Sequence, residues 1–367
     1  MCSYQCPTYL LKQDENESPR GRIALAQAIA GQSIRNNETA QHHLETCLNC
    51  LRCEKICPSK VSYSKIKSNV DLLLEHEDDS GKLVTLLSRL TCKNWRRLGN
   101  LFRYLNLIGL LPLVTRVFFS QHRFYLRPMQ KLAIDTNADA ELQIFSGCLS
   151  NIFDQQTQAS LFNFLKACSI SYNIPDKQQC CGSLAKHNGK HTVSLECMDN
   201  NEAVFTADKP VLFTASGCGA HLKRQKASFN FVEAGDFLLQ DPRFHQLTFK
   251  PLNNIKVLIH SPCSEKNTLN KSSSLQILKK IPDIKLLELT EATPCCGAAG
   301  SHMLKHPHTA NAIRQFTEAE IHKARPDIIV STNYTCAMHI AAGLKQKGLD
   351  IEVMHPLSLL HRQLIQR

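Results

Sequence analysis

The second half of this 367-residue chain contains one cysteine pattern twice, which restricts its fold more than any other feature. The matching positions, 115 to 118 residues apart, are Cys148 and Cys263, Cys180 and Cys295, Cys181 and Cys296, and Cys218 and Cys336. A spacing that recurs in this way indicates two copies of one folding unit in tandem. We therefore expect a first module over residues 139–247 and a second module over residues 248–367.

The sequence around these cysteines alternates between strand-like and helix-like segments. Four short apolar runs each end in a small-residue turn and a cysteine: "LQIFSGC", "PVLFTASGC", "IKVLIHSPC" and "PDIIVSTNYTC". Helical segments such as "HTANAIRQFTEAEIHKA" lie between them. The alternation predicts parallel α/β units, whose functional residues lie at the carboxyl ends of the strands.

Each module reads Cys, 31 residues, Cys-Cys-Gly and, further on, Cys-x-x-His. Adjacent cysteines seldom form a disulfide, because the ring they close strains the peptide, whereas two adjacent thiolates can reach two irons or bridge them. The following Gly182 and Gly297 are expected to let the backbone approach a bulky ligand. His221 and His339 are candidate nitrogen ligands, although packing or a hydrogen bond to a ligand suits them better.

Other cysteines and histidines of the modules have weaker patterns. His187, His260 and His302 lie near the repeated cysteines in sequence and are candidates for proton handling. Cys168 and Cys197 have no counterpart in the other module. We predict that both are ordinary core residues.

The N-terminal region carries the spacing of iron–sulfur ligands. "CLNCLRCEKICP" is a complete C-x2-C-x2-C-x3-C-P run, and "CSYQCP" is the end of another. In two-cluster ferredoxins the first three cysteines of a run bind one cluster and the fourth binds the other. This rule assigns one 4Fe–4S cluster to Cys6, Cys47, Cys50 and Cys53. It leaves Cys2 and Cys57 to a second cluster that lacks two ligands within this sequence.

Two separated C-x2-C pairs could also hold zinc, but a proline after both fourth cysteines favours iron–sulfur clusters. Residues 1–65 also contain "SPRGRIALAQAIAG", with a Ser-Pro start and a terminal glycine typical of a helix. We expect a helical ferredoxin-like region here. Met1 directly precedes Cys2, as Met often precedes the third cysteine of such runs. We therefore expect that this reading begins inside the motif and that two further cysteines are encoded upstream.

The bulk composition narrows the function classes. The 17 cysteines occur in a sequence without an apolar N-terminal stretch, which favours reduced thiols and a cytoplasmic location. The net charge of +11 is spread along the chain, and one Trp with seven Tyr offers no base-stacking platform, so we expect no nucleic-acid partner. Residues 66–138 are predicted to form a helical connector with one cysteine, Cys92. Its stretch Leu105 to Phe119 is shorter than a membrane span, and peripheral contact with the inner face of the cytoplasmic membrane is the alternative to core packing.

Together these motifs resemble the cysteine-rich (CCG) domain family, which includes heterodisulfide reductase subunits and iron–sulfur subunits of respiratory dehydrogenases. The resemblance rests on "CPTY", "ESPRGRI", "CLNCLRCEKICPS", "FSGC", "CCGSL", "ASGCGAHLK", "CCGAAGSHMLKHP" and "STNYTCAMH". It implies an α+β multidomain protein: an α-helical ferredoxin domain with two 4Fe–4S clusters, a helical connector and two tandem CCG domains. It also implies an electron-transfer subunit beside flavin-containing dehydrogenase subunits that oxidise glycolate, with quinone or another carrier as acceptor.

Several alternatives stay open at this point. In the same family the chain could serve a lactate or glycerol-3-phosphate dehydrogenase, or a heterodisulfide-reductase-like enzyme. A zinc-binding structural or interaction protein is the alternative of another class. Complete CCG motifs end in C-x-x-C, whereas these end in His221 and His339. An additional iron–sulfur cluster, a zinc ion or no metal therefore all remain open for the two modules. No G-x-G-x-x-G fingerprint follows a strand, so we expect the flavin on another polypeptide.

Overall fold

The computed structural model describes residues 2–35, 37–74, 95, 97, 99–102, 104–105, 107–110 and 139–365. The ferredoxin-like region (residues 1–65) is helical within that part. Its helices are α1 (Pro7–Lys12), α2 (Pro19–Ala30), α3 (Glu38–Glu45), α4 (Arg52–Lys55) and α5 (Tyr63–Leu74). The boundary drawn at residue 65 falls inside α5. Most of the connector, including Cys92, lies outside the described residues, as does Met1.

Helix α2 forms where the Ser-Pro start and the terminal glycine predict it. Ser18 caps its N-terminus and accepts a hydrogen bond from the Gly21 amide at 3.0 Å, with Pro19 in the first turn and Gly31 at the C-cap. Its buried Ala26 packs in a small cluster that also contains Leu44 of α3 and a residue of α5. The helix is thereby fixed against the rest of the ferredoxin-like region.

The two modules have the same topology. The first contains β1 (Leu142–Ile144), α6 (Leu149–Phe153), α7 (Gln155–Ala167), β2 (Tyr172–Asn173), α8 (Ser183–His187), α9 (His191–Val204), β3 (Val211–Phe213), α10 (Ser216–Gln225), β4 (Phe231–Glu233) and α11 (Ala234–Gln240). The second contains β5 (Lys256–His260), α12 (Ser274–Leu278), β6 (Lys285–Glu288), α13 (His302–Lys305), α14 (Pro307–Ala324), β7 (Ile328–Ser331), α15 (Tyr334–Gln346), β8 (Glu352–Met354) and α16 (Pro356–Gln363). The strand orders are β2-β1-β3-β4 and β6-β5-β7-β8, and every pair is parallel. The predicted α/β repeat is confirmed.

One hydrophobic core joins the two modules. It contains Leu142 and Phe164 of the first module together with Val257, Ile277 and Leu360 of the second. Helices α7 and α16 pack across it. Because both sheets are covered by this common core, their central strands are apolar and buried, as parallel sheets require.

Polar contacts at the strand ends also join the modules. The Ser216 amide, in the first turn of α10, donates to the Thr332 carbonyl after β7 at 3.0 Å. The Ser216 and Ser264 hydroxyl oxygens lie 2.9 Å apart, and His355 Nε2 lies 3.0 Å from the Thr214 carbonyl oxygen. The carboxyl ends of the two sheets are therefore held facing each other.

Only part of the candidate membrane stretch belongs to the described residues. Leu107, Ile108 and Leu110 are exposed there. Within the described part of the chain, none of the helices combines the length and the apolar character that crossing a bilayer would need.

Candidate functional site

The four thiols assigned to the first cluster line one small cavity, here called the four-cysteine cavity. Its sulfur ligands come from Cys6, Cys47, Cys50 and Cys53. Cys6 stands at the N-cap of α1, while the other three lie on the loop before α4 and in α4 itself. That loop turns tightly because Asn49 and Leu51 adopt left-handed backbone angles, with φ of 50° and 58°. The spacing thus brings distant parts of the ferredoxin-like region to one cavity.

A buried arginine provides positive charge at this cavity. Arg22 of α2 forms an ion pair with Glu17 at 2.6 Å, and both side chains are almost fully buried. Its Nη1 atom lies 3.8 Å from Cys6 Sγ. Burial raises the pKa of the Cys6 thiol, and the guanidinium opposes that shift. The sequence pattern does not identify Arg22 as a site residue, although it lies inside the quoted "SPRGRI". Only the fold brings its guanidinium beside Glu17 and Cys6.

The four-cysteine cavity fits a 4Fe–4S cluster. Four thiols are the donor set of such a cluster, and a nearby cation offsets part of the charge of the thiolates. Leu48, Leu51 and Tyr63 supply an apolar wall, and the Tyr63 hydroxyl lies 3.5 Å from Cys47 Sγ. Cys2 and Cys57 are half-buried and do not line this cavity. Their assignment to a second cluster stays a prediction.

A larger cavity of about 150 Å³, here called the cysteine cavity, lies between the two modules. All eight repeated cysteines line it, namely Cys148, Cys180, Cys181, Cys218, Cys263, Cys295, Cys296 and Cys336. Each module contributes four cysteines, which lie beyond the carboxyl ends of its strands. Because these strand ends face each other, both groups of cysteines line the same cavity. The repeat in the sequence therefore corresponds to two facing walls of a single cavity.

The thiols of each wall are hydrogen-bonded to one another. In the first module, Cys148 Sγ lies 3.0 Å from Cys180 Sγ, and the Cys181 thiol is hydrogen-bonded to the Cys218 thiol. A hydrogen bond with the Cys180 thiol raises the pKa of Cys181 well above its usual range. All of the described cysteines are free thiols. The first wall thus keeps its sulfurs within contact distance of one another.

The second wall has the same contacts and one more sulfur. In this wall the Cys263 thiol is hydrogen-bonded to that of Cys295, and the Cys296 thiol is hydrogen-bonded to that of Cys336. Hydrogen bonds donated by Cys263 and Cys296 lower the pKa of Cys295 well below its usual range. Cys50 of the ferredoxin-like region also contacts Cys263, and this hydrogen bond lowers the pKa of Cys50. One thiol therefore belongs to the walls of both the four-cysteine cavity and the cysteine cavity.

The two glycines of the Cys-Cys-Gly motifs each lie in a turn that packs against a helix. Both Gly182 and Gly297 have φ of +84°. A Cβ atom on Gly297 would lie 2.4 Å from the Ala310 carbonyl oxygen of α14, and one on Gly182 would lie 2.8 Å from the Ser194 carbonyl oxygen of α9. The left-handed turn and the close helix both require glycine at these positions. The expected approach of a bulky ligand to the backbone stays a prediction.

The histidines of the two C-x-x-H motifs face the same helices as those glycines. His221 Nε2 lies 3.3 Å from Ser194 Oγ, and His339 Nε2 lies 3.3 Å from the Ala310 carbonyl oxygen. Both residues are buried and neither lines the cysteine cavity. Their contacts support a packing role behind the cysteines, and ligation by either stays untested.

The three candidate proton-handling histidines lie at different places. His260 lines the cysteine cavity, His302 lines a neighbouring cavity, and His187 lines both. His260 Nδ1 lies 3.0 Å from Ser331 Oγ. Burial lowers the pKa of His260 to about 4 and that of His187 to about 3, which keeps both rings neutral at physiological pH. Cys168 and Cys197 are buried in apolar clusters, as predicted.

Family models divide the chain in the same way as its geometry. A model of the cysteine-rich domain (CCG) matches residues 142–223 and 257–341, and a model of the 4Fe-4S dicluster domain matches residues 1–61. The two modules are thus similar to the CCG domain, and the N-terminal region is similar to the dicluster domain. The fold class of the chain is an N-terminal ferredoxin-like domain followed by two CCG modules, and its cofactors are 4Fe–4S clusters.

Two of the similar proteins match nearly the whole chain, and a third matches part of it. The chain is 26% identical to a protein of Bacillus subtilis named "Probable glycolate oxidase iron-sulfur subunit", over 98% of this chain and 91% of the relative. It is also 26% identical to the "Glycolate oxidase iron-sulfur subunit" of Escherichia coli, over 93% of this chain and 88% of that protein. "Lactate utilization protein A" of Macrococcus caseolyticus is 20% identical over 61% of this chain and 97% of that protein.

The described residues of the chain contain no group of three or more His, Cys, Asp or Glu side chains that could hold a single metal ion. Within each wall of the cysteine cavity the thiols contact one another. What the CCG modules bind therefore stays open between an iron–sulfur cluster, zinc and no metal.

Proposed function

We propose that this chain is the iron–sulfur electron-transfer subunit of a flavin-linked glycolate dehydrogenase complex. A flavin on a partner subunit would oxidise the 2-hydroxy acid to the 2-oxo acid and take up two electrons as a hydride. A 4Fe–4S cluster, when bound, accepts and releases one electron at a time. The chain would carry these electrons singly towards quinone or another acceptor.

The observation that carries this proposal is the position of Cys50 between two sulfur-lined cavities. Its thiol lines the four-cysteine cavity and contacts Cys263 in the second module. Its carbonyl oxygen accepts a hydrogen bond from Asn267 Nδ2 at 2.8 Å, which fixes the loop against that module. A continuous sulfur contact of this kind supports transfer between the ferredoxin-like region and the second module.

Arg52 strengthens the same docking contact. Its guanidinium donates to the Thr293 carbonyl at 2.5 Å and to the Glu291 carbonyl at 2.9 Å, both in the loop before Cys295. It also donates to Gln5 Oε1 at 2.6 Å. One side chain thus ties the cysteine loop, the N-terminal turn and the second module together, which supports a fixed distance between the two sulfur sets.

The substrate is the finer part of the proposal. Two relatives named for glycolate oxidase match nearly the whole chain, which favours glycolate. The relative named for lactate utilisation matches 61% of the chain and makes lactate the second candidate. Because the flavin subunit would bind the substrate, this chain would perform the same transfer in either complex. A cytoplasmic location with peripheral attachment to the membrane belongs to the same proposal.

The proposal is tested by purifying the full-length protein with its native partners and adding glycolate, lactate or glycerol 3-phosphate. Glycolate is expected to bleach the brown iron–sulfur absorbance and to produce the paramagnetic signal of reduced clusters. Reduction by lactate alone would contradict the glycolate assignment. Zinc without iron and sulfide in the purified protein would contradict electron transfer altogether.

A pair of cysteine variants tests the role of Cys50. Cys50→Ser is expected to remove most of the signal of the cluster in the four-cysteine cavity, because an alkoxide is a poor substitute for a thiolate ligand. Cys168→Ser is the matched control, since Cys168 is a buried thiol of the apolar core. Equal iron content and equal signals in both variants would contradict the assignment of Cys50.

A further inference from the structure

A third cavity, here called the junction cavity, lies where all three parts of the chain meet. It has a volume of about 60 Å³. The ferredoxin-like region and the rest of α5 supply Lys67 and Asp71, the first module supplies residues 187–190, and the second supplies residues 299–306 at intervals. Neither the cluster ligation nor the sulfur contacts above explain this space, although Cys47 and Asn49 form part of its wall.

Buried hydrogen-bonding atoms without protein partners line the junction cavity. Both ring nitrogens of His302 are buried and unpaired, although only 6% of the residue is exposed. His306 Nε2 and Asn49 Oδ1 are likewise buried without a partner. Leaving such groups unpaired costs free energy, so a bound group that pairs with them would be favoured. The ring centroids of His302 and His306 lie 5.0 Å apart. Each neutral imidazole has one N–H donor.

The charges around the junction cavity favour a negative ligand. Lys67, Lys190 and Lys305 line it, together with the carboxylates of Glu45 and Asp71. Asp71 is paired with Lys67. Lys190 and Lys305 form no ion pair within the described part of the chain, so two cationic side chains are available at the wall. Glu45 is the remaining carboxylate of the wall.

The histidines respond to the same surroundings. Burial lowers the pKa of His302 and that of His187 to about 3, and His306, Lys67 and Lys186 are among the groups that lower them further. Burial followed by His42 and Lys305 lowers the pKa of His306 to about 4. The Thr46 carbonyl opposes the shift of His302 without reaching hydrogen-bonding geometry. The rings are thus neutral, and they are surrounded mainly by positive charge.

We propose that the junction cavity binds a small oxyanion, either phosphate or a two-carbon carboxylate. Its volume holds about four or five water-sized groups, which matches these ions and excludes nucleotides and sugar phosphates. Lys190 and Lys305 provide the counter-charge, and the unpaired N–H groups of His302 and His306 donate to the oxygens. The site goes beyond the proposed electron transfer and does not depend on it. Its ligand would link three parts of the chain, so binding would stabilise their association.

Calorimetric titration of the full chain at pH 7 and constant ionic strength tests the site, with sodium phosphate, sodium glycolate and sodium chloride as the three titrants. Saturable binding of phosphate or of glycolate, absent with chloride, is expected. A preference for phosphate identifies an inorganic-phosphate-type site, and a preference for glycolate identifies a carboxylate site. Heats equal to those of chloride for both ions would overturn the proposal.

Two variants separate binding from folding. Lys305→Gln is expected to weaken the binding about tenfold, whereas Lys177→Gln, an exposed lysine of the first module, leaves it unchanged. His302→Phe keeps a ring of similar size and removes two unpaired nitrogens. Its thermal midpoint without anion should therefore match or exceed that of the parent, while the anion-induced rise is lost. Equal binding by the parent and by both the Lys305 and His302 variants would refute the site.

Discussion

The two modules share a backbone but differ in what surrounds their cysteines. At the end of the first strand, Phe145 of the first module corresponds to His260 of the second. At the end of the third strand of each module, Phe213 on β3 corresponds to Ser331 on β7. The phenylalanines are buried beside the cysteines of their module, whereas His260 and Ser331 are hydrogen-bonded to each other. The two modules thus have matching thiols but differ in the polarity around them, which gives the matching thiols different electrostatic environments.

The modules also differ in their neighbours. The second contacts the ferredoxin-like region through Cys50 and Arg52, while the first is covered by Trp95 of the connector, which packs in the same apolar cluster as Cys148 and Cys180. Among the described residues, the thiol contact with the ferredoxin-like region is made by the second wall, through Cys263. The comparison teaches that the repeat extends to the fold of the modules, while their contacts with the rest of the chain differ.

The largest predicted effect concerns a buried ion pair that only the second module has. Glu318 of α14 pairs with Arg314 and with Lys347, both at 2.6 Å, and it is almost fully buried. Glu318→Gln is expected to lower the free energy of unfolding by about 3 kcal/mol, because Arg314 stays buried without its counter-charge. Glu202 occupies the matching position of α9 but is exposed. Glu202→Gln should cost under about 1 kcal/mol in the same urea titration, and similar losses in both variants would break the comparison.

The next effect tests the glycines of the Cys-Cys-Gly motifs. Gly297→Ala should destabilise the protein by about 2 to 3 kcal/mol, since a methyl group would meet the Ala310 carbonyl in a left-handed turn. Gly182→Ala should cost about 1 kcal/mol less, because the distance to the Ser194 oxygens is longer. Differential scanning calorimetry measures both. A larger loss for Gly182→Ala would contradict the helix-packing explanation.

The third effect is a difference in pH dependence between matching helix N-caps. Glu233 caps α11 and His355 caps α16. Burial raises the pKa of Glu233 to about 7 and lowers that of His355 to about 4. Between pH 4.5 and 7 the folded protein keeps the Glu233 proton that the unfolded chain loses, so this group makes stability fall as pH rises. Between pH 6.5 and 4 the unfolded chain protonates His355 while the folded protein does not, so stability falls as pH drops.

Glu233→Gln is therefore expected to raise the free energy of unfolding by about 1 to 2 kcal/mol at pH 8 and to change it little at pH 4.5. Urea titrations at the two pH values measure the difference. Glu265 is also buried, and its pKa, likewise raised to about 7, gives a dependence of the same sign that remains in the variant. An equal effect of the substitution at both pH values would show that Glu233 does not titrate in this way.

The smallest effect concerns the contact of the second module with the ferredoxin-like region. Arg52→Lys keeps the charge but loses the planar group that reaches two carbonyl oxygens, and we expect a loss of about 1 kcal/mol. Amide hydrogen exchange should become faster in the loop before α4, which carries Cys47 and Cys50, and in the loop before Cys295. Exchange in the first module should be unchanged. Equal changes in both modules would contradict the asymmetric docking.

Much of this architecture is readable from the sequence because it is local or periodic. The cap at Ser18, the alternation of strands and helices and the repeated cysteines each follow from short-range rules, and the structure confirms them. The sequence does not predict the short strands β2, β4, β6 and β8, since two to four residues give little periodic signal.

The contacts between parts of the chain could not be predicted. The position of Cys50 beside Cys263 joins residues more than 200 positions apart, and no spacing rule addresses such a pair. The junction cavity likewise needs three separate segments to meet. The close approach of α9 to Gly182 and of α14 to Gly297 could not be predicted either, because a glycine pattern does not reveal which neighbour is close.

The common core of the two modules has a consequence for how the protein unfolds. Helix α7 of the first module packs on α16 of the second, where Thr157 Oγ1 lies 3.2 Å from Ser358 Oγ, and Phe164 shares its cluster with Val257. A half of the molecule expressed alone would expose that apolar surface to water. The duplicated halves should therefore melt in a single cooperative transition, and the repeat unit of the sequence is smaller than the unit of folding.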